Sequence, residues 1–217
     1  MLILCDFDGT VTEEDVTNLI WDRYIWPDWR ERLLPPYREG KATTLDLMAA
    51  GYREISATAE ELLDAVRNDV KLRGGFEEFA AGCVKKQWPL HVVSCGLDWY
   101  IRAFLPAGVP YHCYAAEFAG RWEVKLPPDV SLTPACDFKI HVMEKLLKQH
   151  GKRDTVFIGD GRNDFPVARE CDRVFAVKDS TLGKMCREAG VPCVEFEEFG
   201  AVARELGMEG RGDAETQ

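Results

Sequence analysis

Two short stretches of the chain set carboxylates beside glycine: DFDGT at 6–10 and GDGRND at 159–164. Asp6 and Asp8 are close enough to share a site yet able to aim differently, one at a reacting centre and one at a proton. Asp160 and Asp164 sit with two glycines around a strand-to-helix turn, and with Asp6 nearby Asp160 completes a set of oxygen ligands of the kind that a hard divalent cation such as magnesium takes. Ser94 offers a hydroxyl and Lys139 an ammonium, the groups that bind anionic oxygens where charge develops. Each has a plainer role when read alone. An isolated Asp-x-Asp caps a helix or holds a turn, Ser94 caps a helix beginning near Leu97, and GDGRND makes an Asx turn. Lys139 falls early in a helix, where a cation opposes the dipole and gains nothing locally.

What raises these residues above their plain roles is the set of elements that must position them. MLILC is an apolar run that stops abruptly at Asp6, and it reads as a buried strand. LHVV ends at Ser94 and TVFIG ends just before Asp160, each as a further strand. Helical stretches separate these strands, so the connections are crossovers and the sheet is mostly parallel with helices on both faces. Ligands in such sheets lie outside the carboxyl ends of the strands. Asp6, Ser94 and Asp160 each fall at that end of a different strand, so three distant segments converge on one crevice.

The remaining pattern fills in the helices. Thr12 with Asp15 reads as a capping-box start, with Val16, Leu19, Ile20 and Tyr24 on one face. The helical segment breaks at Pro35-Pro36 and resumes with Leu45, Met48, Ala49 and Tyr52, and Thr58 with Glu61 caps a helix through Val66. After Gly74-Gly75 the stripe Phe76, Phe79, Ala80, Cys83 and Val84 predicts an amphipathic helix. Beyond Ser94 the pattern predicts a helix over about 97–105 and a hairpin of YHCYAA and EFAGRWEVKL turning at Gly120. A helix from Asp137 to Gln149 follows. Strand TVFIG, a helix from about Asn163 to Cys171, strand RVFAV, a helix from about Thr181 to Ala189, strand CVEF and a last helix complete the chain. EGRGDAETQ at the C-terminus reads as disordered.

Composition excludes several classes. With 217 residues, 46% hydrophobic and 29% charged, the chain has enough material for one core, with or without a smaller inserted module. A formal net charge of −10 opposes binding to nucleic acid. No apolar stretch approaches a membrane span, and MLILC is too short for a signal peptide. The eight cysteines are scattered without a CxxC pair, which suits reduced thiols in the cytoplasm. His112 and Cys113 adjoin in an expected strand and face opposite ways, so they read as structural, as do His91 and His141.

Together, DFDGT, Ser94, Lys139 and GDGRND resemble the four ordered motifs of the haloacid dehalogenase superfamily. The resemblance covers nearly the whole chain and implies a Rossmann-like α/β core over 1–12 and 74–207. It also implies a small helical cap over 13–73, the layout of the phosphoserine-phosphatase-like branch, with 208–217 left as a tail. By that resemblance Asp6 is the nucleophile and Asp8 the general acid and base. Magnesium is then held by the Asp6 and Asp160 carboxylates and the Asp8 carbonyl, with Asp164 and Asn163 in support. Ser94, Lys139 and backbone N–H groups around Gly96 bind the phosphoryl oxygens. The charges answer a physical need. A carboxylate ~4 Å from a phosphate dianion meets repulsion of about 8 kcal/mol at an effective dielectric of ~20, and that repulsion unrelieved costs roughly six powers of ten in rate. A dehalogenase is the weaker reading, because members acting on carbon–halogen bonds generally lack the second aspartate and the magnesium set.

Within the superfamily, DFDGTVTEEDVTNLI, VVSCGLDWYI and ACDFK are similar to the 2-hydroxy-3-keto-5-methylthiopentenyl-1-phosphate phosphatases of methionine salvage. Phosphoserine phosphatases are the rival. They read an amino acid through an acidic residue soon after the first motif and a cap arginine, for which Asp15 and Arg30, Arg32 or Arg38 stay open. Trp21, Trp26, Trp29, Tyr37 and Tyr52 form either the core of the cap or an apolar pocket wall. A phosphotransferase using the same intermediate and a phosphate-binding protein without turnover are the other readings. The partner expected is a small phosphate ester, and nothing in the sequence sets the oligomeric state.

Overall fold

The computed structural model describes residues 1–128, 130, 138–151 and 153–208. Asp137, the expected start of one helix, and residues 209–217 of the expected tail lie outside the described residues. In chain order the strands are β1 (Leu2–Cys5), β2 (Leu90–Leu97), β3 (Tyr111–Phe118), β4 (Trp122–Lys125), β5 (Thr155–Gly159), β6 (Arg173–Val177) and β7 (Val194–Phe196). They form one sheet of order β4-β3-β2-β1-β5-β6-β7, parallel except for the β3–β4 hairpin at one edge. The all-apolar β1 lies at its centre and is wholly buried, as a parallel strand covered on both faces must be. Cys5 pairs with both Val92 and Ile158, so the chain leaves the sheet at one level after β1, along β2 and after β5. Asp6, Ser94 and Asp160 emerge there, and this is the α/β architecture the sequence implied.

Four helices stand between β1 and α5 (Phe76–Lys85): α1 (Val16–Tyr24), α2 (Trp29–Arg38), α3 (Thr44–Tyr52) and α4 (Ala59–Val66). Beyond β2 come α6 (Asp98–Phe104), α7 (Phe138–His150), a 3-10 turn (Arg162–Asp164) running into α8 (Phe165–Ala168), α9 (Thr181–Ala189) and α10 (Phe199–Glu205). Thr58 and Glu61 form the expected capping box on α4, and Thr43 and Asp46 form another on α3.

Several local expectations are corrected. Asp15, not Thr12, caps α1, its carboxylate accepting from the Asn18 N–H at 2.8 Å. Thr12 instead pins the preceding loop, its hydroxyl on the Phe7 and Glu14 carbonyls and its backbone bridged to Leu72. Pro35 and Pro36 do not break the helix but lie inside α2. The carbonyls that lose their intrahelical donors belong to Glu31 and Arg32, which are exposed to water, and the Pro35 and Pro36 carbonyls themselves close the last turn with Glu39 and Lys41. Val84 is 78% exposed and is no part of the buried stripe of α5. Strand β2 runs through Ser94 to Leu97, so Ser94 caps nothing, and α8 ends short of the expected Cys171.

The inserted helices are welded to the sheet by rings. Tyr52 of α3 packs edge-on against Trp21 of α1, Trp99 of α6 and Trp122 of β4. Trp29 meets Trp21 at 4.9 Å in a T-shaped pair. Helix α3 can approach Trp21 only through Gly51, where an added Cβ would lie 2.2 Å from the indole. Gly51→Ala is therefore expected to cost about 1–3 kcal/mol through overpacking, read as a lowered urea midpoint. At the amino end of β2, His91 lies 3.3 Å from ring nitrogens of both His150 and His112. Burial, followed by His112 and His150, lowers the His91 pKa to about 4. The unfolded chain thus binds a proton that the native state refuses, so stability should fall as pH drops from about 6.5 to about 4. Replacing His91 with Asn should flatten that slope in unfolding curves across the range, and an unchanged slope would contradict the assignment.

Candidate active site

Asp6, Asp8, Ser94, Gly96, Asp160 and Asn163 border one cavity of about 490 Å³ at the carboxyl ends of β1, β2 and β5. Lys139, one residue into α7 and 1% exposed, comes up beneath it. Its ammonium lies 2.5 Å from Asp6 Oδ1 and 2.5 Å from Asp164 Oδ1. The other oxygen of Asp164 accepts from the N–H groups of Asp160 and Gly161 at 2.9 and 2.7 Å. Asp164 thus accepts three hydrogen bonds from the protein and acts as a clamp joining Lys139 to the 159–164 turn. Asp160 accepts a hydrogen bond from the Thr10 hydroxyl at 3.1 Å. The Asp8 carboxylate accepts from the Val16 N–H at 3.0 Å on one oxygen, and from the Tyr100 and Ser94 hydroxyls at 2.9 and 3.3 Å on the other.

One expectation changes here. The Gly96 N–H donates to Ser94 Oγ at 2.8 Å and so is not a free donor for a phosphoryl oxygen. Asn163 lies at the cavity edge, with its carboxamide against Gly161.

Burial dominates the electrostatics. It pushes the Asp6 carboxyl well above the ordinary range, with Asp164 adding to the rise and Lys139 opposing it. Asp8 is also held well up, first by burial and then by the Asp15 and Asp6 charges. Asp160 is pushed up to about 7 by burial and by Asp164. Burial alone would strip the proton from Lys139, but Asp164 and Asp6 outweigh it and hold the ammonium charged. Oxygens of Asp6, Asp160 and Asp164 lie within 4.8 Å of one another, with one ammonium bonded to the group among the described residues. A hard divalent cation fits this set, because all the donors are oxygen and negative charge is in excess. Asp164 already accepts three hydrogen bonds from the protein, against one shown for Asp6 and one for Asp160, so Asp6 and Asp160 have the most capacity to hold it.

A family model described as haloacid dehalogenase-like hydrolase matches residues 3–169. The chain belongs to this family. Among curated relatives, the 2-hydroxy-3-keto-5-methylthiopentenyl-1-phosphate phosphatase of Geobacillus kaustophilus (strain HTA426) is 29% identical, with 92% of each chain covered. The enzyme of the same name from Lysinibacillus sphaericus (strain C3-41) is 27% identical over 94% of each. In fold, the chain is similar to a phosphoserine phosphatase solved as a phospho-aspartyl intermediate analogue. The TM-score is 0.73, with 20% identity over 94% of this chain and 97% of that one.

Three residues of this hydrolase's site carried no clear signal in the sequence. Thr10 lay in view within DFDGT, but its bond to Asp160 spans 150 positions. Arg73, at the end of the inserted helices, donates to the Gly9 and Thr10 carbonyls at 2.8 Å each and so holds the 6–10 loop from behind. Tyr100 reaches Asp8 from α6, 92 positions away in the chain.

Replacing Lys139 with Met leaves Asp6 and Asp164 buried without a counter-ion. The expected loss in chelator at neutral pH is about 3–5 kcal/mol. The Asp6 carboxyl, already held above its ordinary range by burial, loses the ammonium that opposed that rise, so the native state gains a proton there and the deficit shrinks as pH falls. Urea unfolding of the two proteins at neutral and mildly acidic pH checks both the loss and its sign.

Proposed function

We propose that this hydrolase is a magnesium-dependent phosphomonoesterase that works through an aspartyl-phosphate on Asp6. The observation that carries the reading is the pairing of two differently partnered carboxylates: Asp6 against the Lys139 ammonium, and Asp8 against hydroxyl and amide donors with its pKa raised. Asp6 attacks phosphorus and the ester P–O bond breaks. Asp8, favoured in its protonated form, gives its proton to the leaving alkoxide. The same carboxylate then takes a proton from the water that attacks the aspartyl-phosphate, releasing phosphate and restoring Asp6. The Lys139 ammonium, and the Ser94 hydroxyl once it turns from Asp8, hold the equatorial oxygens for in-line attack. Magnesium, held by Asp6, Asp160 and the Asp8 carbonyl, supplies positive charge against the repulsion between carboxylate and phosphate. Asp164 and Asn163 act as supports, Asp164 by fixing Lys139.

In this reading residues 1–12 and 74–207 are the catalytic core. The helices within 13–73 are a cap whose Leu34, Leu47 and Met48 meet the leaving group. Those apolar walls, together with relatives matched over nearly their whole length, support 2-hydroxy-3-keto-5-methylthiopentenyl-1-phosphate as the substrate. An amino acid is less well served. Asp15 spends a carboxylate oxygen capping α1, Arg30 is forked onto Asp22 at 2.5 and 2.9 Å, and Arg32 is paired with Asp28 at 2.8 Å, which leaves Arg38 at the cavity wall as the arginine an amino acid would have to use. The seven described cysteines are free thiols, which suits a cytoplasmic setting.

The test is phosphate release from the methylthiopentenyl ester, phosphoserine and simple sugar phosphates, with magnesium or with chelator. Release is expected only with magnesium and fastest from the first ester. Asp6→Asn should abolish it, and Asp8→Asn should slow it by at least about 100-fold. Near-normal rates in either variant would overturn the role assigned. Transfer to an added alcohol in place of release would make the protein a phosphotransferase, and inertness toward every ester would favour a binder.

A further inference from the structure

The donors to Asp8 come from three different elements: the first residue of α1, the middle of β2, and α6. The third is Tyr100, which is fully buried, with its ring against Phe7 and Trp99. Its hydroxyl lies 2.9 Å from Asp8 Oδ2 and 3.1 Å from the hydroxyl of Thr17. A phenol has one proton. If it is spent on Asp8, Thr17 must donate to the phenol oxygen, which gives a directed chain from Thr17 to Tyr100 to Asp8.

The fold makes room for this chain at a specific place. A Cβ on residue 96 would lie 2.0 Å from the Tyr100 hydroxyl and 2.6 Å from Asp8 Oδ2, so Gly96 leaves the space in which phenol and carboxylate meet. The partner groups are also dry: Thr17 is 7% exposed and Ser94 1%. In such surroundings a short hydrogen bond fixes a rotamer far better than it would in water. The other Asp8 oxygen is held by the Val16 N–H, so the carboxyl plane is set from both ends, and Thr17 ties that setting to the helix that follows the motif.

We propose that Tyr100 is a positioning residue for proton transfer by Asp8, with Thr17 orienting its phenol. The proposal rests on the phosphatase reading and adds to it the residue that aims the acid. Tyr100 does not line the cavity, and it bonds the Asp8 carboxylate rather than the Asp8 carbonyl assigned to the metal, so its effect should follow how much the leaving group needs a proton. An alkyl ester leaves as a strongly basic alkoxide and depends on Asp8. A nitrophenyl ester leaves as a stabilised phenolate and depends on it little.

The experiment compares kcat/KM for an alkyl phosphate and for p-nitrophenyl phosphate in wild type, Tyr100→Phe, Thr17→Val and the double variant. This parameter reports steps through cleavage of the ester bond and leaves the later hydrolysis aside. Tyr100→Phe removes one oxygen and keeps the ring, and its unfolding midpoint is measured alongside. The expected result is a roughly 10-fold fall in the ratio of alkyl to aryl kcat/KM for Tyr100→Phe. Thr17→Val should lower the ratio less, and the double variant should lose less than the product of the two singles. Equal losses on both esters would show that Tyr100 only packs, and unchanged ratios or multiplicative losses would break the chain; either overturns the proposal. A wild type inert toward both esters overturns the phosphatase reading and this proposal together, whereas an active wild type with equal losses in the variants overturns this proposal alone.

Discussion

Lys139 Nζ lies 2.5 Å from an oxygen of Asp6 and 2.5 Å from one of Asp164, and all three side chains are buried. Removing three charges from water is expensive, and the arrangement holds because the ammonium and the carboxylates answer one another. The ammonium bridges two carboxylates, and the far oxygen of Asp164 is filled by the Asp160 and Gly161 N–H groups. The bridge ties α7 to the loop after β1 and to the turn after β5. It therefore sets the spacing of Asp6 and Asp160, the two carboxylates with the most capacity left for a cation. One ammonium against the Asp6, Asp160 and Asp164 group leaves negative charge in excess, which a divalent cation can offset.

The inserted helices are coupled to the same centre by a second set of contacts. Arg73 holds the 6–10 loop from behind, and Val16 and Thr17 at the start of α1 reach Asp8 directly and through Tyr100. Movement of α1 is thus bound to be felt at Asp8. The ring cluster of Trp21, Tyr52, Trp99 and Trp122 anchors the helices to the sheet edge, so any movement of the insert must hinge around a packed aromatic joint.

Much of this was legible in the residues themselves. Wholly apolar runs such as LILC and TVFIG admit few readings, and where they end in carboxylates a parallel sheet must bring those ends together. The misreadings have local causes. Thr12 and Asp15 are both good caps, and only the tertiary bridge of Thr12 to Leu72 assigns the cap to Asp15. Pro35-Pro36 signals a break by propensity, yet an exposed final turn tolerates it. Gly96 reads as a backbone donor from its place near Ser94, but the space it leaves for Tyr100 depends on a side chain from the next helix. Contacts such as Thr10 to Asp160 and Tyr100 to Asp8 join positions that no periodicity links.

The central claim is that Asp6 carries the phosphoryl group between the ester and water. Acid quenching during turnover with magnesium, followed by peptide mass mapping, tests it most directly. The expected result is a phosphate adduct on the peptide containing Asp6 that forms before free phosphate accumulates, is absent from Asp6→Asn, and builds up when Asp8 is replaced. Steady phosphate release with no adduct at Asp6, or an adduct on another residue, would contradict it.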